Sequence, residues 1–344
     1  MRRVMIALLC VAAGVSPVVG QVVCATSSGV AVALPGSLQL FDRNGARVVW
    51  SGTGVAIPTA AFASTDRIAV IDSINNDVRI ADLASGRGTT THVGETPIEG
   101  IFVNRDFFLL ERDAHSLERI GSDGSRSSLA LASDPAFLRQ SGGRLYVYAR
   151  GDGTLHEITT TPFAIRRSAH VARFASDMEL DGRNAYLVDP RAGNLAVVSL
   201  ASMTPAGKID AGAVPIDLAF AGGSTALTAR TLAVADPSAK RVWLIEGAQS
   251  LTQAVARGFL RGLLGVGLFS DRESQFPTGI DRVIIRGSRR YAYDTSSGTL
   301  YRFMGSTSSV LAKGVGPTGF SVGPGGVFVW NDAVRRLQRI EIDE

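Results

Sequence analysis

Three carboxylates of this 344-residue chain recur at one spacing. Glu99, Asp177 and Asp217 each stand two positions after a proline, or after the alanine that replaces it: Pro97, Ala175 and Pro215. Carboxylates brought together from several elements can hold a divalent cation such as calcium through oxygen ligands. The same concentration of negative charge attracts cationic ligands. Equivalent positions elsewhere carry Ala60, Phe137, Gly279 and Gly319, so the backbone does not demand an acid there. A water-filled site also tolerates acids cheaply, with no ligand at all.

A second acidic set comprises Asp72, Glu111, Asp189, Asp236 and Asp294, one per repeating unit. Asp and Asn side chains bond their own backbone two residues on, which is what a hairpin turn requires. Repetition at the same turn assigns these acids to architecture. The four histidines, His92, His115, His156 and His170, accompany no Gly-x-Ser-x-Gly elbow and no His-Glu-x-x-His pair. They read as surface or edge residues. The glycine-rich stretch 262–267 lacks the Lys-Ser/Thr of a phosphate-binding loop.

The elements that must position these residues are short strands. The clearest unit runs Pro317-Thr-Gly-Phe-Ser-Val, then Gly325-Gly-Val-Phe-Val-Trp-Asn331, then Leu337-Gln-Arg-Ile-Glu-Ile342. Each apolar run is short, roughly alternating and bounded by Gly, Pro, Asn or Asp. Pro317 precedes Asn331 by fourteen positions, and Leu337 follows it by six. The frame returns at Pro58, Asp72 and Val78, at Pro97, Glu111 and Leu117, and at Pro135, Ala149 and Leu155. It returns with Ala175, Asp189 and Leu195, and in stretched form around Asp236 and Asp294. A first copy places Val32 and Leu38 in register. Eight anchors, most of them near forty residues apart and with one longer gap from Asp236 to Asp294, predict an all-β chain, a β-propeller of about eight four-stranded blades, with seven as the alternative. Residues 22–26 fit either the innermost strand of the first blade or a closing strand of the last.

The runs Gly182-Arg-Asn-Ala-Tyr-Leu-Val-Asp189, Asn194-Leu-Ala-Val-Val-Ser-Leu200 and Gly212-Ala-Val-Pro215-Ile-Asp resemble the YVTN and NHL families of propeller repeats. In propellers of that kind the position of Glu99, Asp177 and Asp217 begins the innermost strand and faces the mouth of a central channel. Those families carry many functions, so the resemblance implies a fold rather than an activity.

Residues 1–20 read as a signal peptide. Arg2 and Arg3 form the charged start, Val4 to Val15 the apolar run, and Val18-Val-Gly20 the cleavage site. The expected destination is secreted or periplasmic, with 21–344 a single propeller domain. The apolar run is too short to span a bilayer, so no transmembrane span is expected in the mature protein. Without the leader 35 basic residues become 33 against 31 acidic, a net charge of about +2. With no Lys/Arg run longer than two, nucleic acid is not an expected partner. Cys24 then stands as a single cysteine, without a partner for an internal disulfide. Residues 247–276 break the strand pattern and predict a helical insert near 248–270, with Ser250 as N-cap and Leu251, Val255, Phe259 and Leu263 on one side.

The expected function is a binding or protein-interaction scaffold whose partner is a protein or other cell-envelope component. The alternative is a propeller hydrolase or lyase acting on a small ester, lactone or sugar through a channel-bound divalent cation. A scaffold predicts an exposed apolar or aromatic patch, whereas an enzyme predicts titratable residues crowded at one channel mouth.

Overall fold

The strand frame becomes eight successive antiparallel sheets, each a meander in chain order, and the architecture is a β-propeller of eight blades. The computed structural model describes residues 21–221, 231–246, 272–286, 288–323 and 326–340. The leader and the helix expected near 248–270 lie outside these residues. Part of the expected insert is corrected: Arg272–Gln275 is a strand, paired with Arg241–Glu246 as the outer strand of blade six. Alternation is hard to see there because the strand, Arg-Glu-Ser-Gln, has no apolar residue.

The chain divides into two compact units, and each is described by itself. The first comprises residues 1–98, 295–299 and 312–344 and holds blades one, two and eight. Blade one begins with the strand Val22–Ala25, which pairs with Val30–Leu34, so of the two placements open to residues 22–26 the first strand of blade one is the one adopted. Blade eight has three strands among the described residues, Phe320–Gly323, Gly326–Asn331 and Arg336–Ile340. The first strand of blade one lies against that of blade eight. The Val23 amide donates to the Thr318 carbonyl at 2.9 Å, and the Ala25 amide to Ser321 Oγ at 2.9 Å. Between those blades Val23, Val32 and Phe41 pack on Phe328, Trp330 and Leu337.

The second unit comprises residues 99–294 and 300–311 and carries blades three to seven. Its cores also lie between facing sheets, because a strand with apolar residues on both faces can bury both only against neighbouring blades. Tyr146, Tyr148 and Leu155 of blade four meet Met178, Leu187 and Val198 of blade five. Val188 and Val197 meet Leu218 and Val234 of blade six, and Val242 and Leu244 meet Val283 and Tyr301 of blade seven.

Of the recurring anchor acids, Asp72, Asp189 and Asp236 cap turns, as their repetition predicts, whereas Glu111 accepts the Ser116 hydroxyl of the next strand. Asp72 Oδ1 accepts the amides of Ile74 and Asn75 at 3.1 and 2.9 Å. Asp189 Oδ1 accepts those of Arg191 and Ala192 at 3.1 and 3.0 Å. Asn331 does the same for Ala333 at 3.1 Å. Asp72 and Asp236 reach further. Their second oxygens accept amides from the loop ahead of the blade, Ile57 at 2.8 Å and Ala213 at 3.0 Å.

Candidate functional site

The first strands of blades three, four and five are Pro97–Val103, Pro135–Ser141 and Met178–Leu180, and that of blade six is Asp217–Ala221. Because every blade repeats one frame, side chains near the start of each such strand share a level. Glu99, Asp177 and Asp217 all act in one way there. Each carboxylate accepts a backbone amide at the first strand of a later blade. Glu99 Oε2 takes Leu138 at 2.6 Å, Asp177 Oδ2 takes Leu218 at 2.9 Å, and Asp217 Oδ2 takes Val283 at 2.6 Å.

Arg139, four positions after Pro135, stands at the centre. Its Nη1 donates to Glu99 Oε1, its Nη2 to Asp177 Oδ1 at 3.3 Å, and its Nε to Glu179 Oε1 at 3.1 Å. The side chain is 22% exposed. Burial opposes its charge, but the carboxylates of Glu99, Glu179 and Asp177 outweigh that and raise its pKa. Spacing alone points to Glu99, Asp177 and Asp217 and passes over Arg139 and Glu179. Their signal is the same repeat read two residues on, where Arg139 and Glu179 occupy equivalent positions of blades four and five.

The cluster is short of positive charge. Burial first, and then the charge of Asp217, pushes the Asp177 carboxyl well above the usual range, despite Arg139 beside it. Burial likewise pushes Asp217 up to about 6, against the pull of the Val283 amide and Arg282. Glu179 is raised by burial too, although Arg139 pulls it down. A carboxylate held this way can keep or release a proton near neutrality. As metal ligands the three are poorly placed, since their oxygens already accept amides and, for two of them, the Arg139 guanidinium. Among the described residues no group of three or more His, Cys, Asp or Glu is arranged to hold a metal ion.

The histidines divide. His92 is exposed and its Nδ1 lies 3.1 Å from Asp77 Oδ1. His156 departs from the surface expectation. It sits buried inside the strand Thr154–Thr160 with Nδ1 2.8 Å from Ser168 Oγ, and burial lowers its pKa. The alternation of Leu155-His156-Glu157-Ile158 carries that signal, because blades bury both faces of a middle strand.

Comparison with known proteins gives a fold and no family. No family model matches the chain. No curated protein matches it either. Among solved structures, the chain is similar to Saccharomyces cerevisiae Sqt1, with TM-score 0.67, 11% identity and 94% and 96% of the two chains covered. It is similar to BamB from Moraxella catarrhalis, with TM-score 0.64, 10% identity and 94% and 100% covered. The dihydro-heme d1 dehydrogenase NirN gives TM-score 0.67 at 11% identity, over 95% of this chain and 74% of that one. At such identities the likeness shows the β-propeller fold alone.

Proposed function

We propose that this protein is an exported β-propeller that serves as a binding or protein-interaction scaffold, with a cell-envelope component as its partner. One observation carries the reading. Phe174 and Val214 immediately precede the frame positions Ala175 and Pro215 of consecutive blades, and both are exposed, at 43% and 39%. Phe174 has φ 64°, a left-handed backbone that costs a bulky residue on the order of 1–3 kcal/mol. The Arg191 guanidinium lies 3.9 Å over its ring. An aromatic held in strain at the surface, with an arginine stacked on it and an aliphatic neighbour one blade on, has the composition of a protein-contact hot spot. The acids that the sequence singles out are meanwhile committed to joining blades.

The test places a photo-crosslinking amino acid at position 174 or 214 in protein expressed in its native host. The expected result is one discrete adduct from both positions, and none from the exposed outer-strand position Thr90. Phe174→Ser should abolish the adduct formed from 214 while leaving the melting temperature within a few degrees. Uniform background labelling from all three positions would overturn the reading. Export rests on Arg2-Arg3 and the apolar run that follows, and N-terminal sequencing of protein recovered outside the cytoplasm checks it. Met1 retained on that material would refute a cleaved leader.

A further inference from the structure

Blade four carries the opposite imbalance of charge. Glu157, in the strand Thr154–Thr160, is fully buried and meets three arginines. Arg144 Nη1 and Arg166 Nη1 both donate to Glu157 Oε1, the second at 2.8 Å. Arg167 Nε donates to Oε2 at 2.5 Å. A β-bulge brings this about. Glu157 pairs with Arg167 and Ile158 with Ile165, so Arg166 is the extra residue of the outer strand Phe163–His170 and reaches the same carboxylate as Arg167.

The three arginines do not have equal roles. Arg167 also donates to the Ala201 carbonyl at 2.7 Å and the Leu200 carbonyl at 3.0 Å, which ties blade four to blade five. Among the described residues Arg144 and Arg166 make no such tie, and their side chains are 39% and 45% exposed. No carboxylate other than Glu157 lies within ion-pair distance of these three arginines among the described residues. Two half-exposed guanidiniums are therefore pinned by one buried oxygen, Arg144 also meeting the Tyr146 hydroxyl, and two positive charges are in excess of the one carboxylate. Arginine cannot shed its proton to relieve this. Planar donors in fixed positions around uncompensated charge suit a tetrahedral oxyanion.

We propose that Arg144 and Arg166, held by Glu157, form a binding site for a phosphoryl or sulfuryl oxyanion on blade four. The group could be carried by a soluble ligand or by a lipid headgroup, and the chemistry recognised is the same. This site is separate from Phe174 and Val214, and the proposal does not depend on the scaffold reading.

The experiment titrates the full-length mature protein with inorganic phosphate and pyrophosphate at low ionic strength, by calorimetry. One-site binding is expected, tighter for pyrophosphate, and weakened at least about tenfold in Arg144→Gln/Arg166→Gln, which keeps the Arg167–Glu157 tie. Arg87→Gln, at an exposed arginine elsewhere, should bind as wild type does. A second measurement needs no variant: phosphate should protect Arg144 and Arg166, and not Arg87, from an arginine-selective dicarbonyl reagent. Sedimentation with phosphatidylglycerol vesicles distinguishes the sources. Loss of vesicle binding in the double variant assigns the site to a headgroup, whereas phosphate binding without vesicle binding assigns it to a soluble ligand. Equal affinity in wild type and double variant, or no binding and no protection at millimolar phosphate, would overturn the proposal.

Discussion

The Arg139 cluster and the Glu157 cluster are charge images of one another. In the first, one guanidinium serves Glu99, Asp177 and Glu179. In the second, one carboxylate serves Arg144, Arg166 and Arg167. Their frustrations resolve differently because the surplus groups differ. Carboxylic acids can take up a proton where burial makes their charge costly, so the first cluster relaxes internally and becomes sensitive to pH. Guanidiniums cannot give a proton up, so the second keeps its surplus and can relax only by recruiting an anion. Like charges gathered on a single counter-charge thus yield a pH response in one cluster and a binding capacity in the other.

The largest effect should come from Arg139→Met. Removing the cation leaves Glu99, Asp177 and Glu179 without their partner in a site where Arg139 is only 22% exposed, and should cost about 3–5 kcal/mol at pH 7. Urea denaturation measures it, and the deficit should shrink towards pH 4, as Asp177 and Glu179, whose carboxyl groups burial pushes up, take on protons. A loss below about 1 kcal/mol would show that the cluster does not join the blades. Next comes Glu157→Gln, expected to cost about 2–3 kcal/mol, with part of the loss recovered on adding phosphate. Burial would raise the Glu157 pKa, but the bonds from Arg166 and Arg167 prevail and hold it below the usual range. Its contribution is therefore present above the unfolded pKa of about 4.3 and fades as pH falls through the lower folded value.

Asp217→Asn sharpens the contrast. With a folded pKa of about 6 and an unfolded one near 3.9, wild-type Asp217 holds its proton in the fold while the unfolded chain has lost it. It should therefore reduce stability as pH rises from about 4 to 6, with the full effect present above 6. The amide keeps an acceptor for the Val283 N–H, so the variant should gain about 1–2 kcal/mol at pH 7.5 and lose that slope. A steeper slope in the variant would place the titration elsewhere. The smallest expected effect is none: added calcium should leave the melting temperature of wild type and Asp217→Asn unchanged. A rise in wild type alone would restore a cation at the carboxylates, and with it the hydrolase or lyase reading.

Much of the fold is legible in the sequence because each blade must solve the same packing problem. Asp72, Asp189 and Asn331 mark their turns by residue type, and the strands follow at fixed distances. The strand Arg272–Gln275 is hidden because its buried position carries the polar Ser274, which donates to the Gly305 carbonyl, and so it shows no apolar period. The candidate site was legible only in part. Glu99, Asp177 and Asp217 share a position, and position is what a repeat reveals. Arg139 acts through a neighbouring position in a different blade, and a search for like residues passes over it. The Glu157 cluster depends on a bulge that slips one strand by a residue, and nothing in the residue types of Phe163–His170 announces it.

The contact between the first strands of blades one and eight also orders events in time. Ala25 and Ser321 are 296 residues apart in the chain, yet one hydrogen bond joins them. At roughly 5–20 residues per second of synthesis, Val22–Ala25 exists for about 15–60 s before that neighbour has been made. Throughout that interval Val23 faces no Phe328 or Trp330, and its amide has no Thr318 to meet. Blade one can form its own four-stranded sheet early, but its apolar flank stays open to any passing strand until residue 321 arrives. The nascent chain is thus open at a flank that the finished one closes with hydrogen bonds and packing.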